Sequence, residues 1–155
     1  MDTRLGTGVG AVPLAPRRYG LPLSERPALP DADAEGITED IIGDVVVEFY
    51  RRARRDERLG PVFEAHVHDW DVHLARMRDF WSAALLRTGR YSGRPVEKHR
   101  PIGGLAVGHF DRWIELFEET VRDLCPPGQA EAFLVRARRM RDGMTMVLGL
   151  VGGRP

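Results

Sequence analysis

The sequence predicts an all-α fold with one domain, and three observations support this prediction. Apolar residues recur at helical spacing in four separate stretches, each long enough for an amphipathic helix. No stretch shows the strict alternation of apolar and polar residues that is typical of a half-buried β-strand. The chain has 155 residues and is 43% hydrophobic, which suffices for one substantial core. We therefore expect packed helices and no sheet.

Composition excludes two classes of partner. Lysine and arginine together number 23, as do aspartate and glutamate, so no net charge draws the chain to nucleic acid or to an anionic membrane. Charged residues interrupt every apolar stretch well before the roughly 20 residues that a membrane-spanning helix needs. The amino-terminal region also lacks the continuous apolar run of a secretory signal. These features predict a cytoplasmic protein.

The cysteine and histidine content gives little support for a metal site built from protein ligands alone. Cys125 is the single cysteine, so the chain cannot form an internal disulfide or a cysteine-based metal cluster. The histidines His66, His68 and His73 invite a zinc interpretation, but their spacing does not bring them onto one helical face. We do not expect a structural zinc site.

The first 36 residues are predicted to form an irregular or disordered arm. Their pattern shows no sustained periodicity and is broken by glycines and by prolines at Pro13, Pro16, Pro22, Pro27 and Pro30. The predicted helical domain follows, from residue 37 to residue 150, and residues 151–155 are expected to fray.

The first helix is predicted to begin at Thr38, whose hydroxyl suits an N-cap and is followed by the acidic pair Glu39 and Asp40. A buried tyrosine hydroxyl needs a partner, so Tyr50 is either a core-edge residue bonded to backbone or part of a site. The arginines between positions 51 and 55 indicate a solvated face. The apolar face comprises Ile41, Ile42, Val45, Val46, Phe49 and Tyr50.

The Gly60-Pro61 pair predicts the end of this helical region, and a polar connection is expected from Glu64 to Asp69. Asp69 suits the N-cap of a second helix. Within that helix His73 lies in the apolar stripe, where a histidine is more often a hydrogen-bonded core residue than a ligand. The stripe comprises Trp70, His73, Leu74, Met77, Trp81 and Ala84.

A turn-rich connector from residue 87 to residue 96 leads to His99. The breaks at Pro101 and Gly103-Gly104 make a long helix through His99 unfavourable, so we expect this histidine on a short helical turn or loop. Taken alone, His99 is more typical of a solvated surface residue. The next helix is predicted to follow Gly108, with an inward face formed by Phe110, Trp113, Ile114, Phe117 and Val121.

The last predicted helix follows a break at Pro126-Pro127-Gly128. Its residues recur at helical spacing and comprise Phe133, Ala137, Met140, Met144 and Leu148. The fold therefore has four main amphipathic helices and one short turn that carries His99.

Three segments resemble the truncated haemoglobins, and most closely the third group of that family. Residues 48–63, EFYRRARRDERLGPVF, are similar to the family pattern FYxxxxxD, and WxxHxxxxxxFW matches from Trp70 to Trp81. The sequence HFDRW matches the family's HFxRW, and it places Trp113 fourteen positions after His99. The resemblance spans residues 37–150 and implies a shortened, two-over-two helical sandwich.

The resemblance also implies haem b as a cofactor, with His99 as the proximal ligand to its iron. Tyr50, Trp113 and His73, in that order, are the expected distal donors to a bound ligand, and His73 is also the expected gate to the pocket. Arg90 and Arg94 are weaker candidates for contacting the haem carboxylates and are equally typical of solvated surface. The expected haem contacts are Phe63, Met77, Phe80, Trp81, Tyr91 and Lys98.

The sequence is compatible with three functions. The resemblance implies a haem protein that binds O2, NO or CO, with NO dioxygenase or peroxidase-like chemistry if an unidentified reductase supplies electrons. A haem-based sensor that acts through a protein partner, without turnover, is the alternative. The third is a helical interaction protein with no cofactor, in which Tyr50, His73, His99 and Trp113 are ordinary core and surface residues.

Overall fold

The computed structural model describes residues 35–150, and every regular element among them is a helix. The all-α prediction is confirmed. Residues 1–34 and 151–155 lie outside the described part, so the predicted arm and frayed tail stay predictions. The helices are α1 (Glu39–Arg55), α2 (Gly60–His66), α3 (Trp70–Leu86), α4 (Pro95–His99), α5 (Val107–Leu124) and α6 (Pro127–Val147).

Helix α1 begins as predicted. The Thr38 hydroxyl accepts a hydrogen bond from the backbone N–H of Ile41 at 3.3 Å, and Glu39 and Asp40 occupy the first turn. These features satisfy one of the free N–H groups at the helix start and complement its dipole. The buried face comprises Ile42, Val45, Val46, Phe49, Tyr50 and Ala53.

The Gly60-Pro61 prediction was wrong in one respect, because this pair begins helix α2. Helix α1 ends at Arg55, and Pro61 takes one of the first positions of α2, where its missing N–H is not needed. Residues 64–66 are consequently helical rather than part of a polar connection. A Cβ at Gly60 would lie 2.7 Å from the Arg54 carbonyl oxygen, so this corner requires glycine.

The same correction applies at the start of α6. The break at residues 126–128 was predicted between helices, but Pro127 and Gly128 form the first turn of α6. Helix α5 likewise begins at Val107, slightly before Gly108. The predicted N-cap at Asp69 is confirmed, since its carboxylate accepts the Val72 N–H at 3.2 Å.

The helices pack as two pairs. Helix α1 packs on α3, α5 packs on α6, and the pairs meet where α1 contacts α5 and α3 contacts α6. This is the two-over-two sandwich. The rings of Trp113 and Trp81 stack on opposite sides of the core residue Phe117, with centroid distances of 5.2 and 5.0 Å.

The short helix α4 lies between two irregular segments. It carries His99 at its last position, as predicted, and the chain then turns towards α5 with Gly104 at φ +78°, a left-handed conformation that favours glycine. Within residues 35–150 no helix is both long and apolar enough to cross a bilayer.

Candidate functional site

A cavity of about 440 Å³ lies among the helices, and all six contribute to its wall. This volume falls within the usual range for small-molecule and cofactor sites. All ten site residues predicted from the sequence line it, namely Tyr50, Phe63, His73, Met77, Phe80, Trp81, Tyr91, Lys98, His99 and Trp113. Tyr50 and Trp113, which are 63 positions apart in the chain, thereby meet at one site.

Four rings form an aromatic cluster at the α1, α2 and α3 side of the cavity. The Tyr50 ring packs edge-on against His73 at 4.9 Å and against Phe63 at 5.5 Å between centroids. Trp70 lies behind them, 5.8 Å from Tyr50 and 5.6 Å from His73. The edge-to-face geometry is the favoured one for aromatic pairs, so the cluster holds the tyrosine and the histidine in fixed orientations.

Tyr50 is 7% exposed, and burial raises the pKa of its phenol well above the ordinary value. The hydroxyl therefore stays protonated at neutral and moderately alkaline pH. A neutral hydroxyl is a hydrogen-bond donor as well as an acceptor. Tyr50 can thus donate to a polar ligand in the cavity.

His73 presents a buried nitrogen without a partner. Its Nε2 atom has no hydrogen-bond partner within the described part of the chain. Burial lowers the pKa of the imidazole, and the nearby charges of Arg76 and Lys98 lower it further, so the ring is neutral at pH 7. Buried polar atoms normally have partners, and this one is suited to a polar ligand in the cavity.

His99 has the tautomer that a metal ligand requires. Its Nδ1 atom lies 2.6 Å from the Pro95 carbonyl oxygen, one turn earlier in α4. Because a carbonyl can only accept, Nδ1 carries the proton, and the lone pair of the neutral ring is on Nε2. The ring is half-buried, lines the cavity and packs beside Phe110 at 6.4 Å. A hydrogen bond of this kind orients a histidine ligand and raises its basicity.

The cavity wall is cationic where α3 and α4 contribute to it. Arg76 and Lys98 are exposed residues that line the cavity, whereas no aspartate or glutamate among residues 35–150 does so. This arrangement suits a ligand that carries carboxylates. Arg90 and Arg94 are absent from the wall, and the guanidinium of Arg90 instead donates to Glu39 at 3.1 Å.

Tyr91 owes its position to Gly93. Its ring packs edge-on against Phe80 at 5.2 Å, and a Cβ at residue 93 would overlap the Tyr91 ring and hydroxyl. This close approach gives a physical reason for a glycine two positions after Tyr91. Glycine at position 93 lets the tyrosine fold back and line the cavity.

Sequence reasoning missed several lining residues. Arg76 lies three positions after His73 on α3, and that helical spacing was a usable signal. Met140 and Met144 were predicted as core residues of the last helix, because periodicity gives the inward face and cannot separate core from cavity wall. His109 was noted only as the first residue of HFDRW, and Arg141 carried no signal of its own.

An ion pair joins two of the motifs that carry the family resemblance. Arg112 donates from Nε to the Asp56 carboxylate at 2.7 Å, and the other carboxylate oxygen accepts the backbone N–H groups of Arg58 and Leu59 at 3.0 Å each. Asp56 ends the FYxxxxxD segment, and Arg112 precedes the cavity residue Trp113 in HFDRW. The pair therefore fixes α5 against the turn that leads to α2.

The residues present fit a haem. A neutral imidazole with a free Nε2 at His99 is a suitable axial ligand, and the large apolar and aromatic lining suits a flat macrocycle. The cations Arg76 and Lys98 suit its carboxylates, and Tyr50 and His73 can meet a polar diatomic ligand. Among residues 35–150 no three His, Cys, Asp or Glu side chains form a group that could hold a metal ion.

Comparisons with known proteins agree with this geometry. No protein-family model matches the chain. A group 3 truncated haemoglobin from Campylobacter jejuni is 29% identical over 123 residues, which make up 77% of this chain and 97% of the relative. The crystal structure of a group III truncated haemoglobin from Campylobacter jejuni superposes with a TM-score of 0.70 at 30% identity, over 76% of this chain and 96% of that one.

Proposed function

The chain belongs to the group III truncated haemoglobins, and from this premise we propose that it binds haem b in the cavity and a diatomic ligand such as O2, NO or CO beside Tyr50. Family membership implies haem-based ligand binding in general. The observation that carries the specific proposal is the 2.6 Å contact between His99 Nδ1 and the Pro95 carbonyl oxygen, because a proton on Nδ1 makes Nε2 the nitrogen available to bind iron.

The haem-binding roles follow from chemistry already described. His99 is proposed as the proximal ligand, held by its bond to the Pro95 carbonyl. Arg76, Lys98 and Tyr91 would bind the haem carboxylates through charge-assisted and neutral hydrogen bonds. The side chains proposed to pack on the macrocycle are Phe63, Met77, Phe80 and Trp81.

Tyr50 is proposed as the main donor to the bound ligand, with Trp113 second and His73 third. Bound haem supplies an iron centre that can take a diatomic ligand and exchange electrons. The Tyr50 hydroxyl is buried and neutral, so it can donate a hydrogen bond to the ligand in its ordinary protonation state. A net hydrogen bond of this kind contributes about 0.5–1.5 kcal/mol to ligand binding.

A polar pocket with several donors also favours redox chemistry on oxygen, nitric oxide or peroxide, with electrons from a reductase. A sensor that acts through a protein partner without turnover is the alternative. Stopped-flow measurements with NO or peroxide separate the two, because sustained consumption of either substrate requires turnover. The cytoplasmic location and the involvement of an unidentified reductase stay predictions.

The experiment that tests haem binding is a set of visible absorption spectra of the purified protein in the ferric, ferrous and CO-bound forms. The parent should show a Soret band. A His99→Gly variant should show a weakened or altered band that added imidazole restores, because free imidazole can take the place of the missing side chain.

His66→Ala is the matched control, since His66 is another histidine that lines the cavity. Its spectra should equal those of the parent. If the parent shows no Soret band and cannot be reconstituted with haem, the proposal is wrong, and the chain is better described as a helical protein without a cofactor. An unchanged band in His99→Gly would instead refute His99 as the ligand.

A further inference from the structure

The imidazole of His73 lies between the cavity and the indole of Trp70. The two residues are three positions apart on α3, so their side chains share one face of the helix. Their rings pack edge-to-face at 5.6 Å, and Tyr50 contacts both rings, at 4.9 Å from His73 and 5.8 Å from Trp70. Any movement of His73 out of the cavity must therefore alter its packing on Trp70.

Trp70 is itself held from outside the cluster. The guanidinium of Arg54 lies over the indole, 4.3 Å from the ring centroid, and Arg54 Nε donates to a carboxylate oxygen of Glu64 at 3.0 Å. Arg54 belongs to α1, Glu64 to α2 and Trp70 to α3, so the contact joins three helices. We call these three residues the Trp70 clamp.

The Trp70 clamp acts at the amino-terminal end of α3. Trp70 is the first residue of that helix, where terminal N–H groups lack helical partners and the chain frays most easily. The indole is half-buried, so the core does not enclose it. The Arg54 guanidinium lies over this half-buried ring, and its hydrogen bond to Glu64 restrains the arginine. The sequence had suggested only a solvated face for this arginine.

We propose that Arg54 and Glu64 limit how often the His73 side chain moves aside to admit a ligand, by holding Trp70 against it. The inference rests on the proposed function, since it concerns ligand entry to a haem in this cavity. Arg54 and Glu64 are positioning residues, because neither lines the cavity and both act through Trp70. His73 lines the cavity, and its side chain is the one that would move.

The direct test is CO association after flash photolysis of the haem-loaded full chain. Arg54→Gln removes the cation from the indole, and the association rate constant should rise about two- to fivefold, the factor that a surface cation–π contact is worth. Glu64→Gln should change the rate in the same direction by less. Added salt should speed association in the parent, because Arg54 and Glu64 are 44% and 55% exposed and their attraction is screened.

Arg51→Gln is the matched control. Arg51 lies on the same helix and is also exposed, but it bonds to Glu48 and has no contact with Trp70. Its association rate should equal that of the parent. The urea midpoints of Arg51→Gln and Arg54→Gln should be similar, which separates gating from a general loss of stability.

A second substitution isolates the route through His73. In a His73→Val background the Arg54→Gln change should no longer alter CO association, because the moving side chain is absent. An equal acceleration with and without His73, or none in either background, overturns the inference. The proposed function is tested separately by the parent, whose CO-bound spectrum must show a Soret band before any rate is compared.

Discussion

At the scale of single residues, the burial of Tyr50 determines both the protonation state and the orientation of its hydroxyl. Four aromatic neighbours contact its ring, and the low polarity around it keeps the hydroxyl protonated. The ring cannot easily rotate away without breaking edge-to-face contacts. The side chain is thus already held in one orientation, so donating a hydrogen bond to a ligand costs little further conformational entropy.

The first prediction follows from this arrangement. Tyr50→Phe keeps the ring and removes the donor, so O2 should dissociate from the ferrous protein about two- to tenfold faster, the factor expected for one net hydrogen bond. Stopped-flow replacement of O2 by CO measures this rate. Tyr91→Phe is the control, since Tyr91 also lines the cavity but is proposed to contact haem carboxylates. Equal dissociation rates in the parent and Tyr50→Phe would contradict the ligand-donor role.

How far the site could be predicted differs from residue to residue. His99, Tyr50, His73 and Trp113 lie in motifs whose spacing matches a known family, and all four line one cavity. Arg141 had no such signal, because an arginine on a late helix is usually solvated. Only the packing of α6 against α5 brings it to the cavity.

At the scale of elements, Asp56 determines how α1, α2 and α5 meet. Burial alone would raise the pKa of this carboxyl, but hydrogen bonds from Arg112 and from the N–H groups of Leu59 and Arg58 outweigh burial and lower the pKa. The folded carboxyl therefore loses its proton more readily than the unfolded one, whose pKa is about 3.9. Its stabilisation is complete above that unfolded value and is lost as pH falls through the lower, folded value.

The second prediction is that Asp56→Asn lowers the free energy of unfolding by about 1.5–3 kcal/mol at pH 7, the usual range for hydrogen bonds to a charged group. The loss should shrink as the pH falls below the unfolded value of about 3.9 and through the lower, folded pKa, because the parent carboxyl then becomes protonated as well. Urea titrations at several pH values measure both effects.

Glu48→Gln provides the comparison for this prediction. Glu48 also bonds to two arginines, Arg51 and Arg52, and their hydrogen bonds lower its pKa to about 2, but it lies on the outer surface of α1. Surface pairs contribute about 0.2–1 kcal/mol. A loss in Asp56→Asn no larger than in Glu48→Gln would show that the α1–α5 link is unimportant.

The long helices were predictable because each carries its own periodic stripe, whereas the short helix α2 was not. Gly60-Pro61 is compatible both with the end of one helix and with the beginning of the next, since proline is tolerated in a first turn. What decides between them is the close approach of Gly60 to the Arg54 carbonyl, a contact made only after the corner has formed. Pro127 was ambiguous for the same reason.

At the scale of the whole molecule, the cavity interrupts the sandwich. Its lining includes large side chains from both helix pairs, among them Phe49, Trp81, Phe110 and Met144. Without a bound group these side chains lack the contacts that a close-packed interior normally provides. The fold class followed from periodicity, but the cavity depends on how the pairs meet, which periodicity does not specify.

The third prediction is that haem stabilises the whole fold. A group that binds the native chain stabilises it by about 4 kcal/mol when its free concentration is a thousand times the dissociation constant. The apoprotein should therefore unfold at a clearly lower temperature, and added haem should restore the higher midpoint. Thermal unfolding followed by far-UV circular dichroism measures this difference.

The His99→Gly variant is the control for this prediction. With its axial ligand removed, this variant should gain much less stability from haem than the parent, and imidazole should recover part of the gain. Coincident unfolding curves for the apoprotein and the haem-loaded parent would mean that the cavity is not a haem site.

The chain's three tryptophans all surround the cavity: Trp81 and Trp113 line it, and Trp70 packs on His73. A haem there would lie within a short distance of every indole, and haem absorbs at the wavelengths where tryptophan emits. Excited indoles would pass their energy to the haem without radiating it. The protein's own fluorescence should therefore be dim when it is loaded and bright when it is empty, which makes cofactor exchange visible in the unlabelled chain.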